Sequence, residues 1–236
     1  MLHMPKNIVI LTGAGISAES GLDTFRDQGG LWANHSVDEV ATPEAFVKNP
    51  KKVQKFYNQR RQELRNVEPN NAHRALATLE ERWDGDFTLI TQNVDDLHER
   101  AGSKNLLHMH GELLKVRCTH SHEIISWQED LDAKTPSPFH PEGILRPHIV
   151  WFGELPLYMD VIFRKLDEAD IFVAIGTSGQ VYPAGGFVQH VYMKGNCDRI
   201  EINLDQSDLS YLFNEHYTGK ATEEVPKWVD ALLQAK

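Results

Sequence analysis

Glycines and polar residues that suit nucleotide chemistry follow the first apolar run of this chain, NIVILT. Gly13 and Gly15 come directly after it, and glycines at such a turn let backbone N–H groups approach a diphosphate. The pattern is not the usual G-x-G-x-x-G, because Ser17 follows Ile16 and the third glycine is Gly21. A glycine-rich turn alone is equally compatible with a structural turn, so it predicts a nucleotide site only together with other residues.

Two histidines and an amide-rich stretch are candidates for acid–base chemistry. HMHG contains His108 and His110, and TQNVD ends another apolar run with Gln92, Asn93 and Asp95. Histidine can take a proton and return it, because its ordinary pKa lies close to neutral. In isolation His110 would be read as a buried structural histidine, and His108 would share its face if the segment is extended. These residues alone do not decide between the two histidines.

The stretch FYNQRR pairs an aromatic side chain with an arginine on one helical face. Tyr57 and Arg60 are three positions apart, so their side chains point the same way on a helix. Taken alone, a ring in the core beside a solvated arginine is the simpler interpretation. The alternative is a carboxylate clamp, since a guanidinium fork and a phenol hydroxyl together suit an anionic group.

Composition limits the kind of protein that carries these residues. A chain of 236 residues can form one substantial domain or one domain with an inserted lobe. No apolar run is long enough to span a bilayer, and the net charge of -10 argues against phosphate-backbone binding. Only two cysteines occur, Cys118 and Cys197. We therefore expect a soluble, cytoplasmic protein without nucleic-acid or membrane partners.

The order of apolar runs predicts an α/β fold, a Rossmann-like doubly wound parallel sheet with a small lobe. Strands are predicted at 7–12, 86–91, 170–176 and 198–204, and helices at 51–66, 71–83, 157–168, 184–193 and 223–234. Within a single domain over residues 1–236, we assign the sheet lobe to 1–32, 69–111 and 149–236. A helical insertion at 33–68 and a polar, proline-bearing insertion at 112–148 form the small lobe.

Six motifs together resemble the sirtuins, which are NAD-dependent protein-lysine deacylases. They are GAGISAESGLDTFR, TQNVD, HMHG, IVWFGE, GTS and INLD, in this order over nearly the whole chain, and the short bacterial sirtuins are the most similar branch. The resemblance implies NAD as a co-substrate and acylated-lysine proteins or peptides as partners. It implies NAD binding by Gly13, Ala14, Gly15, Ile16, Ser17, Asp23, Phe25, Arg26, Gln92, Asn93, Asp95, Gly176, Thr177, Ser178, Asn203, Leu204, Asp205 and Ala221.

The resemblance also implies a reaction, with His110 and Asn93 as its catalytic residues. The acyl-lysine carbonyl oxygen attacks the ribose carbon that bears nicotinamide, and His110 deprotonates a ribose hydroxyl. The products are nicotinamide, free lysine and O-acyl-ADP-ribose. IVWFGE resembles the segment that pairs with an extended substrate backbone, which assigns substrate binding to Val150, Trp151, Phe152, Gly153 and Glu154.

Among sirtuins, the interpretation of FYNQRR changes in favour of the clamp. Tyr57 and Arg60 match the pair that resembles the acyl-carboxylate reader of the desuccinylating branch. Ala41 matches the small residue that leaves room for a longer acyl chain. The expected function is therefore removal of acetyl and succinyl groups from protein lysines.

The chain departs from the family within residues 112–148. Sirtuins commonly carry two cysteine pairs there for a structural zinc, whereas this segment has only Cys118. A site rebuilt from Cys118 and nearby histidines stays an alternative, although no pair here has the usual ligand spacing; the histidines are His120, His122 and His140. We expect no zinc and a module that is held together by packing, with Trp127 and Phe139 as anchors.

Two other functions stay open at this stage. The same fold and cofactor pocket would serve an NAD glycohydrolase or an ADP-ribosyltransferase, and fold alone would also allow a non-catalytic ADP-ribose or NAD sensor. His110 and the complete IVWFGE segment argue against the sensor. An NAD oxidoreductase would reveal itself by making NADH.

Overall fold

The computed structural model describes residues 6–23 and 36–235, and it is built on two sheets. The strands are β1 Ile8–Thr12, β2 Phe87–Thr91, β3 Leu106–His108, β4 Gly111–Cys118, β5 Ile124–Ser126, β6 Leu145–Ile149, β7 Ile171–Ile175, β8 Asp198–Asn203 and β9 Glu215–Thr218. The helices are α1 Gly15–Ala18, α2 Val37–Val40, α3 Pro43–Lys48, α4 Pro50–Leu64, α5 Asn71–Arg82, α6 Leu97–Ala101, α7 Met159–Glu168, α8 Phe187–Lys194 and α9 Ala221–Gln234. Short 3-10 turns lie at Ala184–Gly186 and Ser210–Leu212.

The larger sheet has six parallel strands in the order β3-β2-β1-β7-β8-β9. Along β1, Ile8 and Ile10 join the core on one face, while Val9 and Leu11 join the core on the other. A strand covered on both faces needs apolar residues at every position, which is why these strands read as continuous apolar runs. The predicted Rossmann-like sheet is confirmed, and β3 and β9 extend it at its edges.

Helices cover both faces of this sheet. α5 and α9 contribute Leu76 and Trp228 to the core on one side, and α7 and α8 contribute Leu166 and Val191 on the other. α5 begins where the side chain of Asn70 accepts a hydrogen bond from the N–H of Ala72, which satisfies a donor that the first turn leaves unpaired. In the described part of the chain, every helix is too short or too polar to cross a bilayer.

The small lobe combines helices α2, α3 and α4 with the antiparallel sheet β5-β4-β6. α4 begins at Pro50, with Asn49 as its cap, and its buried face packs against the segment that follows β6. The three-stranded sheet has a small core of Val116, Leu131 and Leu145, against which Trp127 packs. The expectation for Phe139 was wrong, because its side chain is 36% exposed and lies outside this core.

Candidate active site

The glycine turn after β1 lies where the sheet reverses its order, the place where open α/β sheets bind ligands. β1 has β2 on one side and β7 on the other. The N–H of Gly13 donates to the carbonyl of Ile175 at 3.0 Å, and the N–H of Gly15 donates to Gly176 at 2.9 Å. The turn is therefore fixed to the carboxyl end of β7.

The close approach of the two turns depends on Gly176. Its φ is +59°, and an added Cβ would lie 2.5 Å from the backbone nitrogen of Ile16 and 2.7 Å from the carbonyl carbon of Gly15. Only a residue without a Cβ fits there.

Substitution of Gly176 by alanine should displace the turn, whereas substitution of Gly195 should not. Gly195 has a φ of +88°, and no atom of residues 6–23 or 36–235 lies within 4 Å of an added Cβ, so it matches the backbone strain without the clash. We expect Gly176→Ala to cost about 2–3 kcal/mol of unfolding free energy and to raise KM for NAD, against about 1 kcal/mol for Gly195→Ala. Chemical denaturation measures the unfolding free energy of each variant, and activity at varied NAD concentration measures KM. Equal effects in Gly176→Ala and Gly195→Ala would mean that the overlap at Gly176 is relieved without consequence.

The amide-rich stretch after β2 hydrogen-bonds to this turn. The Nδ2 of Asn93 donates to the carbonyl of Gly13 and to the hydroxyl of Ser17, both at 3.1 Å. The Ser17 hydroxyl in turn donates to the Asp95 carboxylate at 3.0 Å. Burial raises the pKa of Asp95 to about 6, although hydrogen bonds from Leu97 and Ser17 oppose the shift. The structure thus brings four predicted site residues into one buried network.

Behind this network lie buried polar residues that the sequence analysis did not select. The Thr12 hydroxyl donates to Thr91 at 2.9 Å and contacts Nε2 of His98 at 3.1 Å, and His73 stacks edge-on against His98. Burial lowers the pKa of both histidines, that of His73 to about 4. The sequence does carry a signal for Thr12, because it is the polar residue at the end of the first apolar run, as Gln92 is just after the second.

A second chain of hydrogen bonds joins the ends of β2, β7 and β8. Gln92 Nε2 donates to the hydroxyl of Thr177, and Asn203 Nδ2 donates to the Thr177 carbonyl, each at 2.9 Å. The hydroxyls, amides and the Asp95 carboxylate along this edge are the donors and acceptors that a dinucleotide requires, so the residues present fit NAD. Ser178 follows in the same turn.

The other predicted cofactor residues lie around this edge. Ala221 opens α9 and is buried, whereas Asp23, Leu204 and Asp205 are exposed. Phe25 and Arg26 lie outside the described residues.

His110 lies between the glycine turn and the small lobe. Its Nδ1 is 3.1 Å from the carbonyl oxygen of Gln92, which can only accept, so Nδ1 carries the proton and Nε2 is left with a lone pair. Burial lowers the pKa of His110, although the hydrogen bond to Gln92 opposes this shift. The ring is therefore neutral at neutral pH, the form that a general base needs.

Gly111 explains why a glycine follows this histidine. Its φ is +84°, and an added Cβ would lie 2.1 Å from the carbonyl oxygen of His148 on the neighbouring strand β6. Gly111 pairs with Ile149, so the backbone beside His110 is held against the segment that carries IVWFGE.

Two of the three predicted acyl residues, Ala41 and Tyr57, lie in one apolar cluster. Ala41, Tyr57 and Trp151 are buried together, and the indole N–H of Trp151 donates to the Tyr57 hydroxyl at 2.8 Å. Burial raises the pKa of Tyr57, so its hydroxyl keeps its proton. Arg60 pairs with Glu63 at 2.6 Å, while its buried Nε has no hydrogen-bond partner among the residues that the structure describes. An unpaired buried donor beside a phenol suits an incoming carboxylate.

The segment after β6 is fixed by its own backbone groups. The N–H of Val150 donates to the His110 carbonyl, that of Trp151 to the Glu154 carboxylate, and that of Phe152 to the Ala41 carbonyl. Phe152 is half exposed, and Gly153 follows with a φ of +91°. A peptide laid along this segment would contact the exposed ring of Phe152 and the backbone groups that these bonds leave free.

The residues of the insertion do not fit a structural zinc. The Cys118 thiol accepts hydrogen bonds from the backbone N–H groups of His120 and Ser121, at 3.5 and 3.4 Å. Burial raises its pKa, but hydrogen bonds from Ser121 and Ser137 outweigh burial and lower it to about 6. His120 and His140 stack on each other with centroids 4.6 Å apart. Within residues 6–23 and 36–235, the only trio of metal-type ligand atoms is Glu99, His108 and Glu112, which excludes Cys118.

We expect the purified protein to carry no stoichiometric zinc and to keep its activity after treatment with a strong chelator. One thiol cannot supply the four thiolate or imidazole ligands of a closed site. Elemental analysis measures the metal, and about one zinc per chain would contradict this prediction. The variant Ser121→Cys with Ser137→Cys serves as the positive control, because both serine side chains hydrogen-bond to the Cys118 thiol and the variant therefore groups three thiols. His140 and Ser137 both lie beside Gly143 together with Cys118, so a fourth ligand is near.

Proteins similar to this chain share both its sequence and its fold. The model of the Sir2 family matches residues 13–183. An NAD-dependent protein deacylase of Bdellovibrio bacteriovorus is 55% identical over 236 residues, which is 99% of each chain. A solved Sir2 homologue in complex with NAD is 41% identical, with a TM-score of 0.88 over 97% of this chain and 90% of that chain. A Sir2 structure with a bound acetylated peptide is 26% identical, with a TM-score of 0.81 over 98% of this chain and 94% of that chain.

Proposed function

Because the chain belongs to the Sir2 family, we infer that it is an NAD-dependent protein-lysine deacylase. Its fold, its glycine turn and its strand-end amides match those expected of such an enzyme. The relatives' substrates support acylated peptides as the partner class, since one Sir2 structure holds an acetylated peptide.

The single observation that carries this function is the setting of His110. A neutral imidazole with a free Nε2 lies beside a loop whose amide side chains hold the glycine turn. This arrangement supplies a general base within reach of a nucleotide at the sheet edge. A sensor would need the nucleotide site but not this base.

The residues around the crevice divide the remaining work. NAD, when bound, supplies an activated ribose carbon with nicotinamide as its leaving group. Asn93 and Asp95 would orient the ribose, and Gln92 with Thr177 would position the two halves of the nucleotide. The Phe152 segment would position the acyl-lysine, so that catalysis rests on orientation and on proton transfer at His110.

The acyl groups we propose are acetyl and succinyl. Tyr57 and Arg60 support succinyl because Tyr57 lies in the cluster that contains Ala41 and Arg60 lies over the ring of Phe56, another member of that cluster. Arg60 is also close enough for its charge to act on Tyr57. Desolvating an unpaired carboxylate in such a cluster would be costly, and the buried Nε of Arg60 offsets that cost.

Acyl-dependent release of nicotinamide tests this function against its rivals. The protein with NAD should release nicotinamide rapidly with acetyl-lysine or succinyl-lysine peptides, and slowly with the unmodified peptide. Release that is equally fast without any acyl group would indicate a glycohydrolase. Label transferred from NAD to the peptide would indicate an ADP-ribosyltransferase, and binding without release would indicate a sensor.

A further inference from the structure

The imidazole of His108 lies between two hydrogen-bond acceptors. Its Nδ1 is 3.1 Å from the carbonyl oxygen of Asn93, and its Nε2 is 2.7 Å from a carboxylate oxygen of Glu99. The side chain is only 6% exposed, so water does not replace either contact freely. The carbonyl can only accept, and Glu99 also only accepts when it is ionised, the form that its lowered pKa favours.

Such a pair of contacts requires the doubly protonated ring. A neutral imidazole has one N–H and one lone pair, so one of its nitrogens would face an acceptor without a proton between them. A carboxylate is the stronger acceptor, and charge-assisted bonds are about twice as strong as neutral ones. The neutral ring would therefore give its single proton to Glu99 and leave the Asn93 carbonyl without a donor.

The surrounding charges favour this imidazolium. Burial lowers the pKa of His108, but the hydrogen bond and negative charge of Glu99 outweigh burial and raise the pKa above its ordinary value. Glu112 acts in the same direction, and Lys115 pairs with Glu112 at 2.8 Å. Asp95 also lies close enough to interact with His108, as does His98, whose pKa is lowered mainly by burial.

The Asn93 carbonyl is one of two neighbouring carbonyls that HMHG holds. His110 donates to the carbonyl of Gln92, and His108 donates to the carbonyl of Asn93. The same Asn93 residue uses its side chain to hold Gly13 and Ser17. A shift of the Asn93 peptide would thus move the amide that fixes the glycine turn.

We propose that His108 is a positioning residue that works as an imidazolium, clamped by Glu99, and holds the Asn93 loop in its NAD-binding geometry. When the ring loses its Nδ1 proton, a lone pair faces the Asn93 carbonyl in place of the N–H. The loop then loses this hydrogen bond and is held less firmly. The enzyme then needs opposite charge states of two histidines two residues apart, a neutral His110 and a charged His108. This inference rests on the proposed function for its kinetic test but not for its spectroscopic one.

The variant Glu99→Gln tests whether the hydrogen bond from His108 to the Asn93 carbonyl needs the positive charge of the ring. The glutamine amide can donate to a lone pair on Nε2, which lets a neutral ring keep its proton on Nδ1 for the Asn93 carbonyl. Glu112→Gln is the matched control, because it removes the same charge near His108 but bonds to Lys115 rather than to the ring.

We expect kcat/KM for NAD in the parent protein to fall about tenfold on the alkaline side of the His108 pKa, from the loss of one charge-assisted hydrogen bond. The fall should appear mainly in KM for NAD. Glu99→Gln should flatten this alkaline fall, whereas Glu112→Gln should keep it and move its midpoint to lower pH. An alkaline fall in Glu99→Gln as deep as that of the parent would overturn the proposal.

Nitrogen NMR of the parent protein with labelled histidine provides the test that needs no activity. The signals lost in His108→Gln identify the ring. Because Glu99 raises the pKa of His108, most rings should carry protons on both nitrogens at about pH 6.5 in the absence of NAD, where an ordinary histidine is half protonated. A singly protonated ring at that pH would overturn the proposal. If His108 is doubly protonated but the protein never releases nicotinamide, the charged state of His108 would stand and the deacylase function would be refuted.

Discussion

Replacement of His110 by alanine is expected to lower kcat for deacylation by about 10²–10⁴-fold while NAD still binds. The ring's hydrogen bond to Gln92 aims Nε2 away from the loop, and its lowered pKa keeps that nitrogen unprotonated at neutral pH. The Gly13, Ser17 and Asn93 contacts do not pass through the ring, so the nucleotide site should persist.

Turnover at saturating NAD and acetyl-lysine peptide measures the loss, and calorimetry of NAD measures the binding. His190→Ala is the control, because this partly exposed histidine pairs with Asp167 on the outer helices α7 and α8. In the parent protein kcat should also fall as the pH drops through the pKa of His110, below about 6.5. A His110→Ala variant that keeps most of its turnover would remove this residue from the mechanism.

Replacement of Arg60 by methionine is expected to lower kcat/KM for succinyl-lysine by about 10–100-fold and to change acetyl-lysine turnover far less. A hydrogen bond to a charged group contributes about 1.5–3 kcal/mol, and acetyl-lysine has no carboxylate with which to make it. Methionine keeps the apolar stem that packs beside Phe56, over whose ring the guanidinium lies at 4.7 Å.

The measurement is kcat/KM for the succinyl-lysine and acetyl-lysine peptides at the same NAD concentration. Their ratio shows whether Arg60 acts on the succinyl carboxylate. Arg65→Met removes a cation from the end of the same helix, where Arg65 contacts the Gln128 carbonyl instead of the acyl cluster. That control should leave the ratio of succinyl to acetyl turnover unchanged. Equal losses on both peptides in Arg60→Met would assign Arg60 to the fold, as the simpler interpretation of FYNQRR holds.

The sequence predicted the centre of the sheet well because those strands are buried on both faces. β1, β2, β7 and β8 lie within one or two residues of the predicted runs, and the polar residues at their ends converge as expected. Edge strands carry a weaker signal, since β9 is EHYT and β3 has three residues. Their strand geometry comes from pairing with β8 and β2 rather than from their own composition.

Contacts between distant segments were the part that no local pattern could indicate. Tyr57 and Trp151 are separated by 94 positions, and their hydrogen bond depends on how α4 packs against the end of β6. Glu99 and His108 are closer in sequence, yet their pairing needs α6 and β3 to be in place first. Motif spacing therefore selects site residues but leaves their partners and charge states undetermined.

The backbone hydrogen bonds at Met109 and His110 also restrain the small lobe where its chain enters and leaves. The Leu157 N–H donates to the Met109 carbonyl and the Val150 N–H donates to the His110 carbonyl, each at 2.9 Å, so the outgoing and returning strands of the small lobe are cross-braced beside the base. Any displacement of the small lobe at this point would have to stretch or break these two hydrogen bonds before it could move the backbone that carries the base.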